Sequence, residues 1–209
     1  MLVGPAPIVS EVRSFGGRTD NAQLLADCAQ LGYLVEPVLD ATYGQGRWWS
    51  QVRPLQLYTN DLNTDTDADF HRDFRDMPWD DGQFGTVAFD PPYKLNGTST
   101  GEGPASSDAG YGVAGEYRSV ATKMQLIHDG ARECARVADR YLLVKCQDQV
   151  VSGAKVWQTR LVADFVEQHC GFALADMLHV GGYRKQPPGR RQVHSRSDYS
   201  TLLVFKRCS

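Results

Sequence analysis

Residues 86–93, with the sequence TVAFDPPY, join an apolar run to four residues suited to chemistry. The run is rich in β-branched and aromatic residues, and Pro91 and Pro92 cannot donate to a sheet ladder, so the pattern predicts a buried strand that ends at Asp90. The prolines stiffen the backbone and leave its carbonyls free to accept hydrogen bonds. A planar ring with an exocyclic amine could donate to Asp90 and to the Pro91 carbonyl while it stacks on Tyr93. An amino nucleobase has this chemistry.

A second candidate site lies upstream, in the stretch VLDATYGQG at residues 38–46. An apolar strand is followed there by a turn with two glycines, Gly44 and Gly46. Glycine lets the backbone turn tightly and lets a ligand approach without a Cβ in the way. Taken alone, such a turn is more often an ordinary connection between a strand and a helix.

Together the two stretches resemble the class I S-adenosylmethionine-dependent methyltransferases that modify exocyclic amino groups. The family signature [DNS]PP[YFW] corresponds to residues 90–93, and its D-x-x-x-G-x-G motif corresponds to residues 40–46. The resemblance implies a Rossmann-like α/β fold, with a seven-stranded, mostly parallel sheet, an antiparallel last strand and helices on both faces. It also implies S-adenosyl-L-methionine as the cofactor, bound at Asp40 and with its amino-acid part against Thr42, Gly44 and Gly46.

The same resemblance assigns further cofactor contacts to acidic residues. Residues 54–58 read as the next strand, and Asp61 at its end would hold the two ribose hydroxyls, although a turn aspartate is the plain alternative. Asp73 and Phe74 are similar to the family's D-x-x-x-x-P segment, in which the acid accepts from the adenine amine and the ring packs on the adenine face. A competing alignment uses Asp69 and Phe70.

The remaining patterns place these segments in one domain, residues 1–209, because a chain of 209 residues and 23.2 kDa suits a single core. Apolar spacing predicts helices over residues 21–31, 116–139 and 156–170. Asp20 and Gly32 are the predicted start and stop signals of the first helix. Apolar runs predict strands over residues 141–146, 173–180 and 199–206.

Two loops are expected at the edge of the sheet where the strand before Asp90 ends. No separate target-recognition domain is expected. Residues 94–115 are rich in Gly, Ser and Thr, so they are predicted to be mobile and able to fold over a bound base. Residues 181–198 connect the last two strands and begin at the edge where ligands bind. Candidate nucleic-acid contacts in this basic loop are Tyr183, Arg184, Lys185, Arg190, Arg191 and Arg196. A solvent-exposed basic loop without a partner is the alternative.

Composition excludes several classes of protein. The net charge of -3 is incompatible with a uniformly basic nucleic-acid coat, so contacts with nucleic acid must be local. No apolar stretch approaches the roughly 20 residues that span a bilayer, and the first residues lack a leader pattern, so a cytoplasmic protein is expected. The five cysteines lack CxxC spacing, which predicts neither a disulfide framework nor a metal site.

The resemblance implies methylation of a nucleobase amine, with adenine N6 in DNA favoured because an initial Asp is commoner in adenine enzymes. RNA adenine N6 or guanine N2 methylation and DNA cytosine N4 methylation stay open. A non-catalytic cofactor- or nucleic-acid-binding subunit of a methyltransferase complex is an alternative of another class, and a protein amide substrate is a third. The expected partner is nucleic acid, with a specificity subunit or a homodimer supplying any sequence recognition that the loops lack.

Overall fold

The computed structural model describes residues 12–13, 17–95, 119–182, 193–195 and 197–208. Its first elements are α1 (Asn21–Gln30), β1 (Val38–Asp40), a short 3-10 helix (Arg47–Trp49), β2 (Leu57–Thr59) and β3 (Phe84–Phe89). They are followed by α2 (Val120–Val137), β4 (Ala138–Cys146), β5 (Gln149–Val151) and β6 (Ala154–Val156). The last elements are α3 (Gln158–His169), β7 (Phe172–Gly181) and β8 (Tyr199–Arg207).

The main sheet has the strand order β2-β1-β3-β4-β8-β7. Strands β1 to β4 run parallel, whereas β8 is antiparallel to both β4 and β7. The predicted α/β class, the mostly parallel sheet and the antiparallel last strand are therefore confirmed. The described residues contain six strands of this sheet, one fewer than predicted, and a separate β5–β6 hairpin that the sequence patterns did not reveal.

Helices cover both faces of the sheet, as predicted. Strand β3 lies between β1 and β4, and all six of its residues are buried, which explains its continuous apolar run. Phe89 of β3 faces the cluster formed with α2 and α3, whereas its neighbour Ala88 faces the cluster formed with α1 and the 3-10 helix. Side chains therefore alternate between two cores across one sheet.

Local signals set some of the helix ends. The Asp20 side chain accepts a hydrogen bond from the Gln23 backbone at 3.1 Å, and Gly32 follows α1 with φ +77°, so both predicted signals are confirmed. Helix α2 starts at Val120, where Ser119 forms a capping box with its third helical residue. Helix α3 starts two residues later than predicted, because Val156 is paired with Gln149 in the β5–β6 hairpin.

Other boundaries moved because of sheet pairing. Strand β4 begins at Ala138, three residues before the predicted start, since Ala138 already pairs with Phe84 of β3. The strand before the two prolines ends at Phe89. The carboxyl ends of β1, β2, β3 and β4 therefore meet at one edge, which places residues 40, 59, 89 and 146 along the same rim.

Candidate functional site

A cavity of about 600 Å³ opens at this carboxyl edge. Four of the predicted site residues line it: Thr42, Gly44, Asp61 and Asp90. Asn21 at the start of α1 and Trp48 of the 3-10 helix also line it. A cavity of this size, at the carboxyl ends of parallel strands, is the usual position of a small-molecule site in such a fold.

The glycine turn after β1 forms one wall of the cavity. Gly44 and Gly46 have φ values of +56° and +66°, which disfavour other residues. A Cβ on Gly46 would overlap the Tyr43 ring, whereas a Cβ on Gly44 would meet no atom within 4 Å. Gly46 is therefore required by packing of the turn, and Gly44 leaves open space beside the cavity. Gly46 itself does not line the cavity.

Asp61 joins the end of β2 to this turn. Its Oδ2 accepts the Gly44 N–H at 2.7 Å, its Oδ1 accepts the Asn63 N–H at 2.8 Å, and the residue is only 4% exposed. Each carboxylate oxygen has two lone pairs, so both retain capacity for a second donor such as a ribose hydroxyl. Asp61 thus shapes the cavity wall and keeps acceptors available there.

Replacing Asp61 by alanine should weaken cofactor binding by about tenfold or more, because hydrogen bonds to a charged group are worth about 1.5–3 kcal/mol each. Isothermal titration with S-adenosyl-L-methionine measures the change. Asp76→Ala is the matched control, since Asp76 is an exposed carboxylate that lies outside the cavity. Equal affinities for the two variants would exclude Asp61 from cofactor binding.

Asp40, predicted to bind the cofactor, lies at the end of β1 and does not line the cavity. It is 2% exposed, and its carboxylate accepts the Thr42 N–H at 3.0 Å and the Trp49 Nε1–H at 2.7 Å. Burial raises the pKa of Asp40 to about 7, although these two hydrogen bonds act in the opposite direction. Asp40 therefore orients the glycine turn and the 3-10 helix from beneath the cavity.

Asp73 and Phe74, the predicted adenine contacts, also lie outside the cavity lining. Asp73 forms an ion pair with Arg75 at 2.5 Å, which lowers the pKa of its carboxyl. Phe74 is buried and packs on Phe89 with 5.1 Å between ring centroids. A Cβ on Gly130 of α2 would lie 2.6 Å from the Phe74 ring, so the ring fills a gap that only glycine leaves.

The competing pair, Asp69 and Phe70, does not line the cavity either. Asp69 accepts hydrogen bonds from the backbone and hydroxyl of Thr59, and Phe70 packs edge-on against Trp79. The segment that directly follows Asp61 contributes four lining residues instead, to which the sequence patterns assigned no role. They are Asn63, Asp65, Thr66 and Asp67.

Asp90 connects the two sequence motifs. Its backbone N–H donates to the Thr42 hydroxyl at 2.7 Å, so the start of DPPY is bonded to the turn after β1. The Asp90 Oδ1 is buried and accepts no hydrogen bond from the described residues. Desolvation raises the pKa of Asp90 to about 6, while the charges of Lys145 and Lys94 act to lower it. A buried acceptor without a donor is costly, and a ligand that supplies a donor would relieve that cost.

Lys145 does not line the cavity, but it contacts two residues that do, and sequence reasoning missed it. It lies near the end of β4, is fully buried, and donates from Nζ to the Asn21 side-chain oxygen. Its Nζ lies 5.7 Å from the centre of a Trp48 ring. Burial lowers the pKa of Lys145, and the Asp90 charge raises it. The available signal was a lysine inside the otherwise apolar run YLLVKC.

Buried glutamines hold the main chain after the two prolines. The Tyr93 carbonyl accepts from Gln149 Nε2 at 2.7 Å and from Gln158 Nε2 at 3.0 Å, and Leu95 N–H donates to Gln149 Oε1 at 3.0 Å. The Pro91 carbonyl, predicted to be free, already accepts the Tyr93 N–H at 2.6 Å. That bond forms because the chain turns sharply at Pro92, and it leaves one lone pair of the carbonyl for a substrate donor.

Pro91 and Pro92 are buried, and neither they nor Tyr93, the predicted stacking ring, line the cavity. The Tyr93 side chain is half-buried and packs against the core cluster formed with α2 and α3.

The other predicted contacts fall outside the described residues. These are the six candidates of the basic loop, Tyr183, Arg184, Lys185, Arg190, Arg191 and Arg196, and most of the loop at 94–115. Within the described ranges, no three or more His, Cys, Asp or Glu side chains are grouped so that they could hold a metal ion. No helix in the same ranges has the length and apolar character needed to cross a membrane.

Neither a protein-family model nor a curated protein sequence matches the chain. Solved structures do match it. A protein from Bacillus halodurans C-125, whose assignment as a methyltransferase is provisional, aligns with a TM-score of 0.52 at 13% identity. The alignment covers 88% of this chain and 99% of that protein. A likeness at this level of identity establishes the fold alone, which is a Rossmann-like α/β fold.

Two further matches have TM-scores below 0.5 and carry no argument about the substrate. One is magnesium protoporphyrin IX methyltransferase from Synechocystis PCC 6803 with bound SAH, at 0.49 and 14% identity, covering 90% of this chain and 80% of that one. The other is the cytosine-N4-specific PvuII DNA methyltransferase, at 0.42 and 14% identity, covering 63% of this chain and 45% of that one.

Proposed function

We propose that this protein is an S-adenosylmethionine-dependent methyltransferase that modifies an exocyclic amine of a nucleobase, with adenine N6 in DNA as the favoured target. The observation that carries the proposal is Asp90. Its Oδ1 is buried and receives no hydrogen bond from the part of the chain that the structure describes, and its backbone is bonded to Thr42 at the rim of a cavity of about 600 Å³. An acceptor of this kind suits an amine that must be held and oriented.

The cavity suits the proposed cofactor. Gly44 leaves space beside the cavity, and both oxygens of Asp61 retain a lone pair for ribose hydroxyls. Asn21 and Thr42 add polar groups to the wall. When bound, S-adenosyl-L-methionine supplies an electrophilic methyl group on a positively charged sulfur.

The chain's own residues would prepare the amine. Its lone pair is delocalised into the ring, so hydrogen bonds from the amine to Asp90 and to the Pro91 carbonyl favour a tetrahedral nitrogen. Methylation of the nitrogen would leave it with a surplus proton, which the Asp90 carboxylate bonded to the amine would accept and pass to solvent. The Asp90 carboxylate stabilises the positive charge that develops on nitrogen. A base in a duplex must leave the stack to reach Tyr93.

Transfer of labelled methyl from S-adenosyl-L-methionine to unmethylated duplex DNA, single-stranded DNA and total RNA tests the proposal, with nucleoside mass spectrometry to identify the product. The expected product is N6-methyladenine in DNA. Methylated RNA, or N4-methylcytosine in DNA, would keep the chemistry and change the target. Cofactor binding without transfer to any of the three would favour the non-catalytic subunit instead.

A further inference from the structure

The β5–β6 hairpin projects from the same edge of the sheet as the candidate site. Its two strands are joined by Ser152 and Gly153, whose φ values of +49° and +83° define a tight two-residue turn. The tip is exposed, whereas Val151 and Val156 pack against the core. The hairpin thus has an exposed tip and a base that is packed on the core.

Contacts on both sides tie this hairpin to the candidate site and to the basic loop. At its start, Gln149 bonds to the Tyr93 carbonyl and to Leu95. At its end, Lys155 Nζ donates to the Ser197 hydroxyl at 2.7 Å, in a described part of the loop at 181–198. The hairpin therefore lies between the segment that follows Asp90 and a loop rich in arginine.

Trp157 follows the hairpin directly and is 57% exposed. Lys155 Nζ lies 5.0 Å above the centre of its ring. Trp157 occupies the N-cap position of α3 without making a capping bond, and Asp148 accepts the Thr159 N–H at 3.0 Å instead. Neither core packing nor helix capping explains so large an aromatic side chain at this position.

We infer that Trp157 and Lys155 form a docking surface for the nucleic-acid strand that carries the target base, an inference that rests on the proposed function. Trp157 stacks on an unpaired base beside the target, and Lys155 contributes positive charge toward the phosphates. An exposed aromatic ring next to a cationic side chain is the usual combination in proteins that bind single-stranded nucleic acid. The adjoining loop carries five Lys and Arg residues and one acid, Asp198, so its charge complements a polyanion.

Binding of fluorescently labelled single-stranded and duplex oligonucleotides tests the inference, together with KM for the nucleic acid and the Kd for S-adenosyl-L-methionine. Trp157→Ala should raise the nucleic-acid Kd and KM by about tenfold, because stacking contributes roughly this much per base. The cofactor Kd should be unchanged. Trp157→Phe should recover most of the affinity, since phenylalanine keeps a ring that can stack.

Leu55→Ala is the matched control, because Leu55 is 96% exposed and lies before β2, at the opposite end of the strands. It should bind and methylate like the unmodified protein. If Trp157→Ala also methylates nucleic acid with an unchanged KM, the docking surface is wrong and the proposed function stands. If the unmodified protein neither binds nor methylates any polynucleotide, the proposed function and the docking surface are both wrong.

Discussion

Asp90→Ala should lower the rate of methyl transfer by roughly 100- to 1,000-fold, a loss typical of removing one preorganised group that stabilises developing charge. The variant loses the buried Oδ1 that would accept the substrate amine. Cofactor affinity should change little, because the bond between the residue-90 backbone and the Thr42 hydroxyl does not need the side chain. Single-turnover transfer of labelled methyl and titration with S-adenosyl-L-methionine measure the two effects separately.

Asp76→Ala provides the control for this measurement, since it removes an exposed carboxylate away from the cavity. It should keep the rate of the unmodified protein. Near-normal turnover by Asp90→Ala would show that the amine is not held by this carboxylate, and the mechanism proposed above would be wrong. A large loss of cofactor affinity would instead place Asp90 among the cofactor contacts.

The parts of the site that were predicted correctly depend on local backbone rules. Two consecutive prolines cannot donate to the ladder of a central strand, so the position of Asp90 directly after β3 followed from the sequence. Positive φ at Gly44 and Gly46 is likewise a local property of the turn. Such rules operate within a few residues, which is why single-sequence patterns contain them.

The parts that were missed depend on distant residues. Phe74 enters the core because Gly130 leaves room for its ring, and the spacing of DFRDMP contains nothing about α2. The bonds from Gln149 and Gln158 to the Tyr93 carbonyl join residues more than fifty positions apart. The β5–β6 hairpin is local by contrast, and it was missed because Val156 also fits the apolar spacing of the helix that follows, although it lies in a strand.

Lys145→Met gives the second large expected effect, which is a change in the pH dependence of the rate of methyl transfer. Methyl transfer requires an ionised Asp90, so the rate should fall as the pH drops through about 6, the pKa of that carboxyl. The Lys145 charge acts to lower this pKa. Lys145→Met removes that charge, so the pKa of Asp90 rises and the acidic limb of the pH–rate profile moves to higher pH. The rate at neutral pH should fall and should recover as the pH is raised.

Other charges near Asp90 define the control. Lys94 also lowers the pKa of Asp90, and the negative charge of Asp90 in turn raises the pKa of the buried Asp40 at the end of β1. Lys94 is exposed, so its charge is screened by solvent and Lys94→Met should move the acidic limb by less than Lys145→Met does. A purely structural role for Lys145 would lower the rate by the same factor at every pH. An unshifted acidic limb in Lys145→Met would therefore exclude an electrostatic role, even if the variant were slow, and would leave Lys145 only its hydrogen bond to Asn21.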